Sequence, residues 1–298
     1  RTLWSKGYKN PCFRHRYKAH AQGGKEVNVT SFLQCVPYFF VAGFPKCGTT
    51  DLFDRMTGHP EFFRPSFKEI HWITRYRFVQ PRQLRQYHIY HRKYKTRGFD
   101  YGFRQYTRIF DNLAVQLEKL SDVTNMTQKL TLQNGVTGDF SPSTVWDNDF
   151  FSYLPVNENR SIPRYTSADF VKEMNPCAKI IVLLRDPVNR LYSDYLFFPT
   201  SNQDPHDFHT KVLQSVTSFQ DCLDTRDLRH CVFDVILNKA MPVRLRLGMY
   251  HVYIEEWFKR FPQEQILILR LEDYAKDMPS VLRRVFDYLQ MSKLYICV

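Results

Sequence analysis

The stretch Cys35-Val36-Pro37-Tyr38-Phe39-Phe40-Val41-Ala42-Gly43-Phe44-Pro45-Lys46-Cys47-Gly48-Thr49-Thr50 decides the fold. Cys35 to Gly43 is a short apolar run with aromatic and β-branched residues, and it reads as a buried strand stopped by glycine. Thr49 to Gly58 follows at once and fits a short helix, with Leu52, Phe53 and Met56 on one side. A strand, a tight turn and a helix in that order expose successive backbone N–H groups at a helix N-terminus, where a phosphate binds. Gly43 and Gly48 have the G-x-x-x-x-G spacing of a phosphate loop. The lysine, however, sits inside the loop at Lys46, and Thr49 and Thr50 follow Gly48 directly. A P-loop nucleotide kinase, the main rival reading, wants lysine and a hydroxyl after the second glycine, plus an acidic strand end for Mg²⁺.

Working outward, Lys179 to Leu184 (KIIVLL) is the clearest strand, and its nearly continuous β-branched run suits a parallel strand buried on both faces. It ends in Arg185, not in an acid. Pro187 opens a helix through about Phe197. Arg185 therefore lies just past the C-terminal end of a parallel strand, where ligands of open α/β sheets bind. Ser193 lies two turns along the helix, so a guanidinium and a hydroxyl offer a second anion site. Further expected elements are a short strand in Gly135 to Phe140, a helix Ser167 to Met174 capped by Ser167, and a helix near Asp207 to Leu223. A long amphipathic helix Pro242 to Arg260, a buried strand Gln265 to Leu271 and a last helix Met278 to Gln290 complete the pattern. Strands alternating with helices predict an α/β fold: a P-loop-containing three-layer α/β/α domain with a central parallel sheet. Residues 1–30 read as an irregular basic arm and 31–298 as one domain.

The 298 residues carry 42 Lys+Arg against 30 Asp+Glu, a net charge of +12 that calls for an anionic partner. The excess is concentrated. Residues 64–108 hold 12 basic residues and only Glu69 and Asp100 as acids, with tyrosines interleaved. Arg75, Arg77, Arg104 and Arg108 are the bases in it chosen as candidate substrate contacts. No zinc-finger, RRM or helix-turn-helix signature points to nucleic acid. A non-catalytic polyanion-binding protein is the third reading. The longest apolar run, Phe32 to Pro45, is too short to span a bilayer. The chain opens on Arg1, so an N-terminal anchor lost from a longer protein is expected.

None of the seven cysteines forms a C-x-x-C pair, which argues against a zinc knuckle, and no metal is expected. Cys222 and Cys231 flank a short charged loop and form a candidate disulfide. Sequons begin at Asn28, Asn125 and Asn159. Together these features favour the secretory pathway.

The motifs G-F-P-K-C-G-T-T (43–50) and L-R-D-P-V-N-R-L-Y-S-D-Y (184–195) together resemble the two cofactor-binding signatures of sulfotransferases. The resemblance runs from about Val36 to Leu289. It includes Lys68-Glu69-Ile70-His71, Gly138-Asp139-Phe140-Ser141-Pro142, and Leu245-Arg246-Leu247-Gly248-Met249-Tyr250. The layout is similar to Golgi carbohydrate sulfotransferases of the heparan-type branch. The resemblance implies a type II membrane protein of the Golgi lumen, also secreted, using 3′-phosphoadenosine 5′-phosphosulfate without a metal. It implies Lys46, Cys47, Gly48, Thr49 and Thr50 around the 5′-phosphosulfate, and Arg185 with Ser193 on the 3′-phosphate. Lys46 would stabilise the leaving phosphate, with Glu69 as the base and His71 as its rival. If the segment is extended, residues 69 and 71 face the same way. The acceptor implied is a sulfated glycosaminoglycan, at the 6-hydroxyl of 4-sulfated N-acetylgalactosamine in chondroitin or dermatan sulfate. The family continues past its last helix into a basic, Gly-containing loop over the cofactor. This sequence stops at Val298, which reads as a shortened form.

Overall fold

The computed structural model describes residues 4–18, 29–78, 102–198 and 202–292. Cys12–Lys18 (β1) and Val29–Cys35 (β2) pair antiparallel, with Cys12 opposite Cys35. Phe39–Val41 (β3), Gly138–Asp139 (β4), Lys179–Leu184 (β5) and Ile266–Arg270 (β6) form a separate sheet in the order β4-β3-β5-β6. All of its pairings are parallel, with Phe39 beside both Gly138 and Lys179, and Ile180 beside Ile266. The central strand β5 shows why the sheet is a middle layer. Ile180, Ile181, Val182 and Leu183 point alternately to opposite faces, yet none is more than 2% exposed. Both faces are therefore covered, as the three-layer α/β/α reading requires. The main core joins these residues to Phe39, Phe40, Phe53, Phe140, Tyr253 and Trp257.

Three expectations are corrected. The arm before residue 31 is not irregular throughout, because Cys12–Lys18 is a strand tied to β2 by a Cys12–Cys35 disulfide. That strand exists through its partner and its crosslink, which local propensity does not reveal. The apolar run Cys35 to Gly43 is not one strand. Cys35 closes β2, Pro37 interrupts, and β3 spans only Phe39–Val41. The stretch Pro242 to Arg260 is not one helix but a 3-10 turn Leu245–Gly248 followed by a helix Tyr250–Phe258. Gly248 marks the break, and a side chain there would lie 3.3 Å from Pro187 Cβ.

Other elements fall near their expected places. Thr49–Met56 (α1) follows the phosphate loop, and helices span Pro187–Phe197, Pro205–Leu223 and Met278–Tyr288. The helix Ser167–Met174 is capped one residue earlier than expected, by Thr166 in a capping box with Asp169. Cys222 and Cys231 are disulfide-bonded across the turn that ends the Pro205–Leu223 helix. No helix among the described residues is long and apolar enough to cross a membrane.

Candidate functional site

Each strand of the parallel sheet delivers residues to its C-terminal edge: the 43–50 loop from β3, Ser141 from β4, Arg185 from β5 and Glu272 from β6. The loop after β3 is held tightly. A side chain on Gly43 would lie 3.1 Å from the backbone N and O of Leu183, so any larger residue would press on β5 where the loop crosses it. Gly48 has φ 85° and Lys46 has φ 67°, both left-handed. This turn directs the loop into α1, whose N-cap Gly48 brings no side-chain cap. Carboxylates fill that role for some helices, Asp186 for Pro187–Phe197 and Asp277 for Met278–Tyr288, while Asp111–Glu118 and Tyr250–Phe258 also begin without one. The first-turn N–H groups of α1 thus lack a capping side chain, and such a helix end suits an anion. Thr49 is buried, and Thr50 is exposed. The Cys47 side chain is fully buried, and burial pushes its thiol up to about 12, so only its backbone is offered to a ligand.

The second anion site meets the first. Arg185 Nη1 donates to the Lys46 carbonyl at 3.3 Å. The Arg185 carbonyl accepts from the Tyr250 hydroxyl at 2.8 Å, while the Tyr250 ring packs 4.6 Å from Phe44. One tyrosine therefore braces both loops. Glu272 accepts from the Asp186 backbone N–H at 2.7 Å and fixes the turn after Arg185. The Lys46 ammonium lies 4.3 Å from the ring centre of Phe197. Ser193 is half-buried four residues before Phe197, on the same side of the helix. Lys46 and Arg185 are thus in contact, and Ser193 lies on the side of the neighbouring helix that carries Phe197.

Glu69 and His71 also converge, but not through extended backbone. Both are left-handed, at φ 58° and 49°. Such conformations are costly for non-glycine residues and persist where the surroundings enforce them. The enforcing contacts are visible. The His71 backbone N–H donates to Ser141 Oγ at 2.9 Å, and its Nδ1 lies 2.7 Å from Ser143 Oγ. Ser141 donates to Asp139 at 2.6 Å, and the buried Tyr106 hydroxyl holds the other carboxylate oxygen at 2.8 Å. Lys68 bridges to the phosphate loop by donating to Thr50 Oγ1 at 2.9 Å and to the Glu69 carboxylate. His71 Nε2 stands 3.9 Å from Glu69 Oε2. Lys68, Tyr106, Asp139, Ser141 and Ser143 were not singled out as site residues from sequence. The Lys68-Glu69 pair and the Gly-Asp-Phe-Ser-Pro turn were the available signals.

Burial, helped by the Arg75 and Lys68 cations, pushes His71 from its ordinary 6.5 down to about 3. The side chain is therefore neutral at neutral pH. The unfolded chain protonates this histidine below pH 6.5, whereas the folded chain refuses the proton until near pH 3. Stability at this site is complete above pH 6.5 and falls as pH drops through that window, by roughly 1.4 kcal/mol per pH unit. Urea unfolding at pH 7, 6 and 5 checks this, and His71→Gln is expected to flatten the slope.

The candidate substrate arginines divide. Arg75 donates to the buried Asp147 at 2.5 Å. Arg77 is sandwiched 4.4 Å from Phe78 and 4.0 Å from Phe170, and burial pushes it down to about 10. Arg104 lies 5.5 Å from the Phe32 ring, and Arg108 is exposed. Structure thus uses Arg77 in a wall. Residues 79–101 of the basic segment, and Asn28, lie outside the described residues. Asn125 is exposed and caps Met126–Gln133, and Asn159 sits exposed in a left-handed turn. Among the described residues, no group of three or more His, Cys, Asp or Glu side chains could hold a metal ion.

Residues 37–294 match the family described as "Sulfotransferase domain". The chain is 41% identical over 262 residues to carbohydrate sulfotransferase 15 of Mus musculus and 40% identical over 262 residues to that of Homo sapiens. Each match covers 88% of this chain and 45% of the relative, so the chain spans about half the length of these proteins. Among solved structures, a sulfotransferase from Alicyclobacillus acidocaldarius is 20% identical, with 86% of this chain and 82% of that one covered and a TM-score of 0.48. The family match spans most of the chain and includes both anion loops, and it replaces the kinase reading: the chain belongs to the sulfotransferase domain family.

Proposed function

We propose that this chain moves a sulfuryl group from 3′-phosphoadenosine 5′-phosphosulfate to the 6-hydroxyl of 4-sulfated N-acetylgalactosamine in chondroitin or dermatan sulfate. This is the reaction of an N-acetylgalactosamine 4-sulfate 6-O-sulfotransferase. The observation that carries the transfer chemistry is the Arg185–Lys46 contact. It joins two anion sites at one mouth, with Glu69 tied to the same loop through Lys68 and Thr50. The choice of acceptor rests on the resemblance and on the basic composition of residues 64–108.

The chain's residues fit the donor, because α1 begins without a side-chain cap and Arg185 stands beside it. When bound, the donor supplies the sulfuryl group and departs as 3′,5′-adenosine bisphosphate. The backbone N–H groups of residues 46–50 and the hydroxyls of Thr49 and Thr50 would hold its 5′ end, and Arg185 and Ser193 its 3′-phosphate. Lys46 stabilises negative charge developing on the leaving phosphate. Glu69 removes the proton from the sugar hydroxyl. Its carboxylate is reachable, with the side chain 38% exposed, whereas His71 is half-buried and neutral and serves to position it. Two disulfides and exposed sequons suit an oxidising lumen, so we place the protein in the Golgi lumen, anchored through an N-terminal segment or secreted.

The test is a thermal-shift titration of the chain. Adenosine 3′,5′-bisphosphate is expected to raise the Tm, with about 2.7 kcal/mol of stabilisation at a hundredfold excess over Kd. Mg²⁺-ATP is expected to do far less. No shift with the bisphosphate would overturn the donor assignment and leave only polyanion binding.

A further inference from the structure

A cleft of about 250 Å³ opens beside the proposed site, between the helix Pro187–Phe197, the helix Pro205–Leu223 and the Pro242–Arg244 turn. Leu191, Tyr195 and Phe198 form its apolar side, and Asp194, Lys211 and Arg244 its charged side. The charges do not cancel. Asp194 is buried and its carboxylate is shared between two guanidinium groups. Arg244 Nε donates to it at 2.7 Å, and Arg190 Nη1 lies 3.4 Å away. Two arginines on one carboxylate leave one net positive charge. Arg190 is fully buried, donates to the Arg244 carbonyl at 3.1 Å, and leaves its Nε and Nη1 without a hydrogen-bond partner, so its link to Asp194 is an ion pair and not a hydrogen bond. The partner that can present charge to the cleft is Arg244, whose side chain is 33% exposed. Lys211 adds a second cation, held by Asp207 at 2.7 Å outside the lining.

A relay of side-chain contacts links the cleft to the Lys46 loop across the end of the Pro187–Phe197 helix. The Lys46 ammonium rests on Phe197, the Phe197 ring centre is 5.6 Å from that of Phe198, and Arg244 lies 4.8 Å from Phe198. We propose that this cleft is a subsite for an acidic sugar unit of the acceptor polymer, remote from the unit being modified. Arg244 and Lys211 take its sulfate or carboxylate, and Phe198 and Tyr195 face its ring. The assignment rests on the transferase reading for the polymer's identity. A polymer bound at the mouth brings neighbouring anionic units past this face. A lone small anion would not use the aromatic side.

The substitutions that test it are mild. In Arg244→Gln the buried Asp194 keeps the Arg190 charge 3.4 Å away, and the glutamine amide retains a donor for the carboxylate. In Lys211→Gln, Asp207 keeps the Tyr195 hydroxyl at 2.6 Å. Binding of a size-defined 4-sulfated chondroitin oligosaccharide is measured by calorimetry for the parent chain and each variant. Inorganic sulfate is titrated in parallel, and the Tm shift with adenosine 3′,5′-bisphosphate serves as the fold and donor-site control. Each variant is expected to bind the oligosaccharide about tenfold more weakly, as for a lost charged hydrogen bond. The bisphosphate shift stays at the parent value. Unchanged oligosaccharide affinity in both variants would overturn the subsite. Inorganic sulfate matching the oligosaccharide in affinity would also overturn it, in favour of a free-anion site. A missing bisphosphate shift in the parent chain would instead strike the donor assignment, while the oligosaccharide titration still decides the cleft.

Discussion

Lys46→Ala is expected to reduce sulfuryl transfer by about 10³-fold while leaving binding of the sulfated polymer near its original strength. The first half follows from position. Lys46 is the cation within the phosphate loop, in left-handed backbone fixed by the turn into α1, and its carbonyl is held by Arg185. Removing one preorganised donor from a site of developing charge costs about 10²–10³ in rate. A full ammonium stands at the upper end of that range. The second half follows from the residues involved, because the polymer contacts proposed are Arg244, Lys211 and basic residues of the 64–108 segment. Initial rates with labelled donor, alongside oligosaccharide binding, separate the two. Equal losses in both would remove Lys46 from a specific role in the chemistry.

Glu69→Gln carries the next largest effect, an expected loss of about 10²–10⁴ in kcat, the usual contribution of a general base. Glutamine keeps the shape and the hydrogen bond to Lys68 but takes no proton. His71→Ala is expected to cost less. Its imidazole lies 3.9 Å from Glu69, is only 14% exposed, and is held near a pKa of about 3, so it is a poor proton acceptor at neutral pH. Its contribution is to shape the left-handed turn that carries Glu69. The order of the two variants decides the assignment, and a larger kcat loss for His71→Ala would move the base to histidine.

Much of this could be read locally. KIIVLL at 179–184 is buried on both faces whatever surrounds it, because only a sandwiched parallel strand tolerates such a run. Pro187 and the adjacent Asp186 place a helix start within one residue. Errors arose where a partner distant in sequence sets the conformation. Strand β1 needs β2 and the Cys12–Cys35 bond, and the break at Gly248 meets Pro187 from another element.

The alternation of strand and helix, the G-x-x-x-x-G loop at 43–50 and the arginine after β5 are legible in the local order of residues. These depend on neighbours within a few residues: apolar period, glycine freedom, proline geometry and an open helix end. The tertiary structure was needed to bring Asp139, Ser141 and Ser143 around His71 in its left-handed backbone, beside Glu69. It alone decided that Lys46 would lie on Phe197, and that Asp194 would be shared between Arg190 and Arg244. Charge balance and hydrogen-bond satisfaction are sums over groups brought together from separate segments, so no local stretch of sequence contains them.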